Sequence, residues 1–146
     1  MLEMAGDGAV EVCVCRAAAQ GNALAQNNLG DKFEKGHGVA QDYAEAVRLY
    51  RLSAAQGHAV AQVNLGYMFS KGRGVAQDYA EAVRLYSLAA AQGDADAQVN
   101  LGLMFENGRG VAKDRAEAIR WYRLAAAQGD ARAKNFATAA LKRLGV

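Results

Sequence analysis

At 146 residues, 52% of them apolar, with no proline and a net charge of +2, the chain is long enough for one compact domain or a short array of repeats. Its 17 Lys/Arg alternate with 15 Asp/Glu, without the clustered basic residues that a nucleic-acid surface needs. No apolar run approaches the roughly 20 residues of a membrane helix, and two cysteines cannot build a disulfide framework, which points to a reducing, cytosolic setting.

The opening MLEMAGDGAV has neither a basic n-region nor an apolar core, so no signal peptide is expected and residues 1–8 read as disordered. Residues 9–22 align with the close of a later helix, because Ala18-Ala19-Gln20-Gly21 matches Ala54-Ala55-Gln56-Gly57, and read as a degenerate capping helix. The alternation of Val10, Val12 and Val14 suits a strand instead. Cys13 and Cys15 would point about 200° apart on a helix, which prevents a shared metal, and no second cysteine pair completes a zinc set. They read as small apolar residues of a worn repeat.

From residue 23 the chain repeats. GVAQDYAEAVRLY stands at 38–50 and again at 74–86, and GVAKDRAEAIRWY at 110–122, so the offsets are 74 − 38 = 36 and 110 − 74 = 36. Self-similarity at this period marks stacked supersecondary units, here 23–58, 59–94 and 95–130, each predicted to be two helices. In the middle copy Ala61, Leu65 and Phe69 fall at i, i+4, i+8 on one stripe of a first helix. Gly66 lies beside that stripe, where a missing side chain lets a partner backbone approach. Gly72 is suited to the C-terminal turn, Gly74 to a further turn, and Val75 to an apolar contact pinning the connection. Asp78 and Glu81 form a D-x-x-E capping box for the second helix, repeated as Asp42/Glu45 and Asp114/Glu117. Tyr79, Ala82, Val83, Tyr86 and Ala90 should face inward, and Glu81 with Arg84 outward. Asn22, Asp94 and Asp130 are placed to cap the first helices, while His58 is a poorer choice. Residues 131–146 read as a C-terminal capping helix. Its apolar face holds Ala133, Phe136, Ala137, Ala140, Leu141 and Leu144; Lys134, Thr138 and Lys142 make its polar stripe.

The recurring letters AxAQxxLGxxFxxGxGVxxDxxEAxRxYxLAAxQG resemble the Sel1-like repeat, a relative of the tetratricopeptide repeat, over residues 23–130. The resemblance implies an all-α fold, a right-handed α/α superhelical solenoid with first helices lining the concave face, and a role in bringing proteins together. It also points to cysteine-rich relatives assigned penicillin binding or β-lactamase activity. That chemistry is not expected here: Ser53, Ser70 and Ser87 lack S-x-x-K, and the paired cysteines within each repeat are absent. His37 and His58 stand where other copies carry Arg73, Arg109 and Asp94, Asp130, so they read as solvated positions and not as a ligand pair. No enzyme activity, cofactor or metal is expected.

Two sets of residues carry the functional expectation. Asn28, Asn64 and Asn100 present one carboxamide per repeat, donor and acceptor together, able to hold the backbone of an extended peptide; in peptide-bound relatives the asparagine at this motif position does that work. The alternative is a structural amide bonded to a neighbouring helix. The second set is where the copies differ: Leu24, Asn27, Asp31; Val60, Val63, Tyr67; and Asp96, Val99, Leu103, with Lys32, Met68 and Met104 adjacent. Val60, Val63, Tyr67, Val99 and Leu103 then form an exposed apolar stripe bordered by Asp31 and Asp96, typical of a recognition surface. The alternative is packing against the preceding repeat. The expected partner is a protein or peptide, with self-assembly through the end faces as the competing reading, and neither nucleic acid nor membrane.

Overall fold

The computed structural model describes residues 13–146, and the expectations for residues 1–12 lie outside them. Helix α1 occupies 13–19, so the part of the front segment that is described is helical. It is followed by α2 (Ala23–Lys35), α3 (Tyr43–Ala55), α4 (Ala59–Lys71), α5 (Tyr79–Ala91), α6 (Ala95–Asn107), α7 (Arg115–Ala126) and α8 (Ala131–Arg143). Helices α2/α3, α4/α5 and α6/α7 pair as hairpins, each hairpin packs on the next through α3/α4 and α5/α6, and α8 closes the stack on α7 and α6. This is an all-α solenoid, in which every unit buries a face that its neighbour exposes.

The local signals act as sequence chemistry requires. Asp42, Asp78 and Asp114 accept, through Oδ1, from the amides of Glu45, Glu81 and Glu117 at 3.1 Å. The reciprocal half of the capping box does not form, which corrects the sequence expectation. The Asp42, Asp78 and Asp114 amides donate to Phe33, Phe69 and Phe105 carbonyls of the preceding helix, while the glutamates pair with Arg48, Arg84 and Arg120. The aspartate thus caps one helix with its side chain and stitches it to the last with its backbone. Asn22, Asp94 and Asp130 cap α2, α6 and α8, whereas His58 makes no cap bond to α4. Among the described residues its buried Nε2 has no hydrogen-bond partner.

Packing explains the recurring glycines and tyrosines together. A Cβ at Gly66 would lie 2.7 Å from Cε1 of Tyr86, and Gly30 and Gly102 stand likewise against Tyr50 and Tyr122. The guest at these positions is therefore a tyrosine ring, not the partner backbone that the sequence suggested. Backbone approach occurs at Gly74, where a Cβ would lie 2.5 Å from the Tyr43 carbonyl oxygen. That contact seats the loop of one unit on the second helix of the unit before. Gly72 ends α4 in the left-handed region at φ 66°, with its amide donating to the Met68 carbonyl.

The repeated glutamines, which carried no expectation, are structural. Gln56, Gln92 and Gln128 donate to Gln26, Gln62 and Gln98 at 2.8, 2.9 and 2.8 Å. Gln62 in turn donates to the Ala54 carbonyl of the preceding unit. On α8, Ala133, Ala137 and Ala140 are buried, but Phe136, expected on the apolar face, is 45% exposed. Small alanines bring α8 so close to its neighbours that the bulky ring is left outside.

Candidate functional site

The varied positions of α2, α4 and α6 line three depressions that run into one another. The first, about 580 Å³, lies between α2 and α4 and is bordered by Asn28, Asp31, Val60 and Asn64, with Asn27, Lys32 and His37 beside them. The second, about 640 Å³, is bordered by Val63, Asn64, Tyr67, Asp96, Val99 and Asn100, and on α8 by Arg132, Asn135 and Phe136. The third, about 280 Å³, takes Tyr67, Asn100 and Leu103 from this set and adds Ser70, Lys71, Tyr86, Asn107 and Arg109. Asn64 is shared by the first two, Tyr67 and Asn100 by the last two, so the three form one run along the first helices. All ten expected residues border it.

Their roles within the run differ from one another. Val60 is 47% exposed, and Val63, Tyr67 and Leu103 are half-buried, forming apolar walls that solvent still reaches. Val99, expected on the exposed stripe, is 7% exposed and packs with Ala133 and Ala137. The cause is α8, which docks on α6 and turns Val99 into floor. Asn64 donates from Nδ2 to Oδ1 of Asn27 at 3.0 Å, the structural alternative for that residue. Its copies cannot do the same, because the residue corresponding to Asn27 for Asn100 is Val63, which offers no acceptor. Among the described residues the Asn28 and Asn100 side chains have no protein partner, leaving both carboxamides available.

Charge along the run is uneven. The Asp96 carboxyl is pushed above its ordinary value first by loss of solvent and further by Asp94 and Asp130, against the pull of Arg132. On the other rim, Tyr67 sits under two cations, Arg73 at 5.3 Å and Lys71 at 5.8 Å from its ring centre, and Arg73 also lies 5.6 Å from the Tyr43 ring. Arg132, Asn135, Phe136, Lys71 and Arg109 were not read as site residues from sequence. The exposed aromatic Phe136, standing where the repeats carry Asn, was the available signal.

Among the described residues no group of three or more His, Cys, Asp or Glu could hold a metal. Cys13 and Cys15 are free and exposed. Among the same residues no helix is long and apolar enough to cross a membrane.

Hairpins of helices stacked at a 36-residue period, closed by an end helix and grooved along their first helices, define a helical-repeat protein. The Sel1 repeat pattern matches residues 23–58, 59–94 and 95–130, and the chain belongs to the Sel1 repeat family. Among solved structures it is similar to a protective antigen of uropathogenic Escherichia coli strains with an SLR fold, at 42% identity and a TM-score of 0.79. That alignment covers 82% of this chain and 26% of the antigen, so the chain spans about a quarter of that relative. A Sel1 repeat protein from Oxalobacter formigenes matches at 39% identity and a TM-score of 0.75, over 87% of this chain and 96% of that one. Helicobacter pylori cysteine rich protein B shares the fold, at 20% identity and a TM-score of 0.66, over 86% and 96% of the two chains. No match was found among curated proteins. Proteins built from Sel1 repeats are generally protein-interaction modules.

Proposed function

We propose that this protein is an interaction module that holds an extended segment of a partner protein along the groove of its first helices. The observation that carries the reading is the continuity of that groove, with half-open apolar walls at Val60, Val63, Tyr67 and Leu103 and unpartnered carboxamides at Asn28 and Asn100. Carboxamides at this spacing bond a peptide backbone whatever its side chains, and the apolar walls then select among side chains. The walls rest on rigid helices, so little ordering is needed on the receptor side when a segment binds.

The test is selection of a random twelve-residue peptide library displayed on phage, followed by titration of synthetic copies of the selected peptides. Tyr67→Ala combined with Asn100→Ala should keep the helical circular dichroism and lose affinity by at least about tenfold, the usual scale for removing an aromatic anchor and a hydrogen-bond pair. Unchanged affinity in a folded double variant refutes the groove.

A further inference from the structure

The three hairpins share a buried phenol but differ in what it meets. In the first copy the Tyr50 hydroxyl donates to Glu34 Oε2 at 2.6 Å, and in the third the Tyr122 hydroxyl donates to Glu106 Oε2 at 2.5 Å. The 36-residue register, 34 + 36 = 70 and 50 + 36 = 86, puts Ser70 where the carboxylate belongs in the middle copy and Tyr86 where the phenol belongs. Ser70 stands beside the Tyr86 hydroxyl, but it is too short to fill the space of a glutamate, and no carboxylate of the described residues bonds to that hydroxyl. The third groove depression opens at this place, lined by Ser70, Tyr86, Lys71, Asn107 and Arg109 among others.

The lining holds two cations and no acid. Neither Lys71 nor Arg109 is in an ion pair among the described residues; each lies only over an aromatic ring, Tyr67 and Tyr79. Tyr86 is 2% exposed, and burial pushes its phenol well above the usual range, so it stays a proton donor. The third copy shows what such a position takes: Glu106 accepts from the Tyr122 phenol and from the Arg143 guanidinium together.

From this we infer that the cavity beside Tyr86 receives an aspartate or glutamate side chain of the bound partner, which supplies to the middle repeat the carboxylate that Glu34 and Glu106 supply to theirs. The inference rests on the groove reading above and names the chemistry the partner must carry. The phenol donates to the incoming carboxylate, Lys71 and Arg109 neutralise it, and the hydrogen bond is charge-assisted.

The experiment uses the same phage library on the full chain and on Ser70→Glu, a substitution the fold already accommodates at the two equivalent positions. Peptides selected by the wild type should carry Asp or Glu at one position, and a synthetic twin with Asn or Gln there should bind about tenfold more weakly. Ser70→Glu should raise the melting temperature of the free protein and erase the difference between the two peptides. A twin that binds the wild type equally well, or discrimination that survives in Ser70→Glu, overturns the inference. If peptides bind and depend on Tyr67 and Asn100 without any acidic preference, only this inference falls. If no peptide binds, the groove reading falls with it.

Discussion

Gly66→Ala tests the packing on which the groove depends. On an open helix this change gains about 1 kcal/mol, because alanine loses less conformational freedom than glycine. At residue 66 the new methyl would meet Cε1, Cδ1 and Cζ of Tyr86 at 2.7, 3.0 and 3.2 Å, well inside the roughly 3.5–4.0 Å of ordinary carbon contact. The ring can give way only in part, toward the third groove depression, since Tyr86 is 2% exposed and packs among Leu101, Met104 and Ala89. Overpacking of this kind costs about 1–3 kcal/mol; a ring packed on most of its sides places it in the upper half of that range, so the net loss should be about 1–2 kcal/mol. Urea unfolding at an unchanged slope is the assay. In a Tyr86→Leu background, where the obstructing ring is gone, the same substitution should turn neutral or stabilising. A gain of about 1 kcal/mol in the wild type would show that propensity alone operates there and that the Tyr86 ring sets no limit on residue 66.

Further outcomes follow from single residues. His58→Asp should stabilise the protein by about 1 kcal/mol, since it gives α4 the cap that Asp94 gives α6 and removes a buried orphan nitrogen; a melting curve that does not move contradicts this. Glu106 has its carboxyl held below the ordinary value, chiefly by the bond from Arg143, so its contribution is present above the usual carboxylate range and lost as pH falls through the lowered value. Glu106→Gln should therefore cost less than about 1 kcal/mol at neutral pH, because Arg143 is largely solvated, and the difference from wild type should vanish in acid; urea melts at pH 7 and 3 decide it. Leu65→Ala, a core truncation at 4% exposure, should cost about 2–5 kcal/mol, and a cost below 1 would contradict its inward placement. Sedimentation at high concentration should give a monomer, whereas a growing series of species would favour assembly through the end faces.

The hairpins were legible because packing requires equal surfaces: Leu65, Tyr86 and Gly66 recur since each unit meets the same neighbour, and Asp78 recurs since each second helix needs the same cap. Repeat position also located the depressions: the recurring Asn28, Asn64 and Asn100 and seven of the varied residues border one run along the first helices. What could not be read depends on distances between elements. Val99 looked like Val63, yet α8 comes close enough to α6 to bury it. Asn64 looked like Asn28 and Asn100, but only Asn64 faces an acceptor, Asn27. The Asp–Glu box reads the same whether or not its second half closes, because the competitor for the aspartate amide, the Phe69 carbonyl, belongs to the preceding helix. Gln56 and Gln26 lie 30 residues apart and meet only once the hairpin has closed. The most consequential difference, serine at 70 between glutamates at 34 and 106, has meaning only once the tyrosine that bonds them is known.

Titration of isotope-labelled protein with a selected peptide, followed by amide and side-chain carboxamide shifts, tests the groove most directly. The largest changes are expected at Asn28, Val60, Tyr67, Asn100 and Leu103. Changes centred instead on the exposed Leu52, Leu88 and Leu124 of the second helices would place the partner on the opposite face and contradict it.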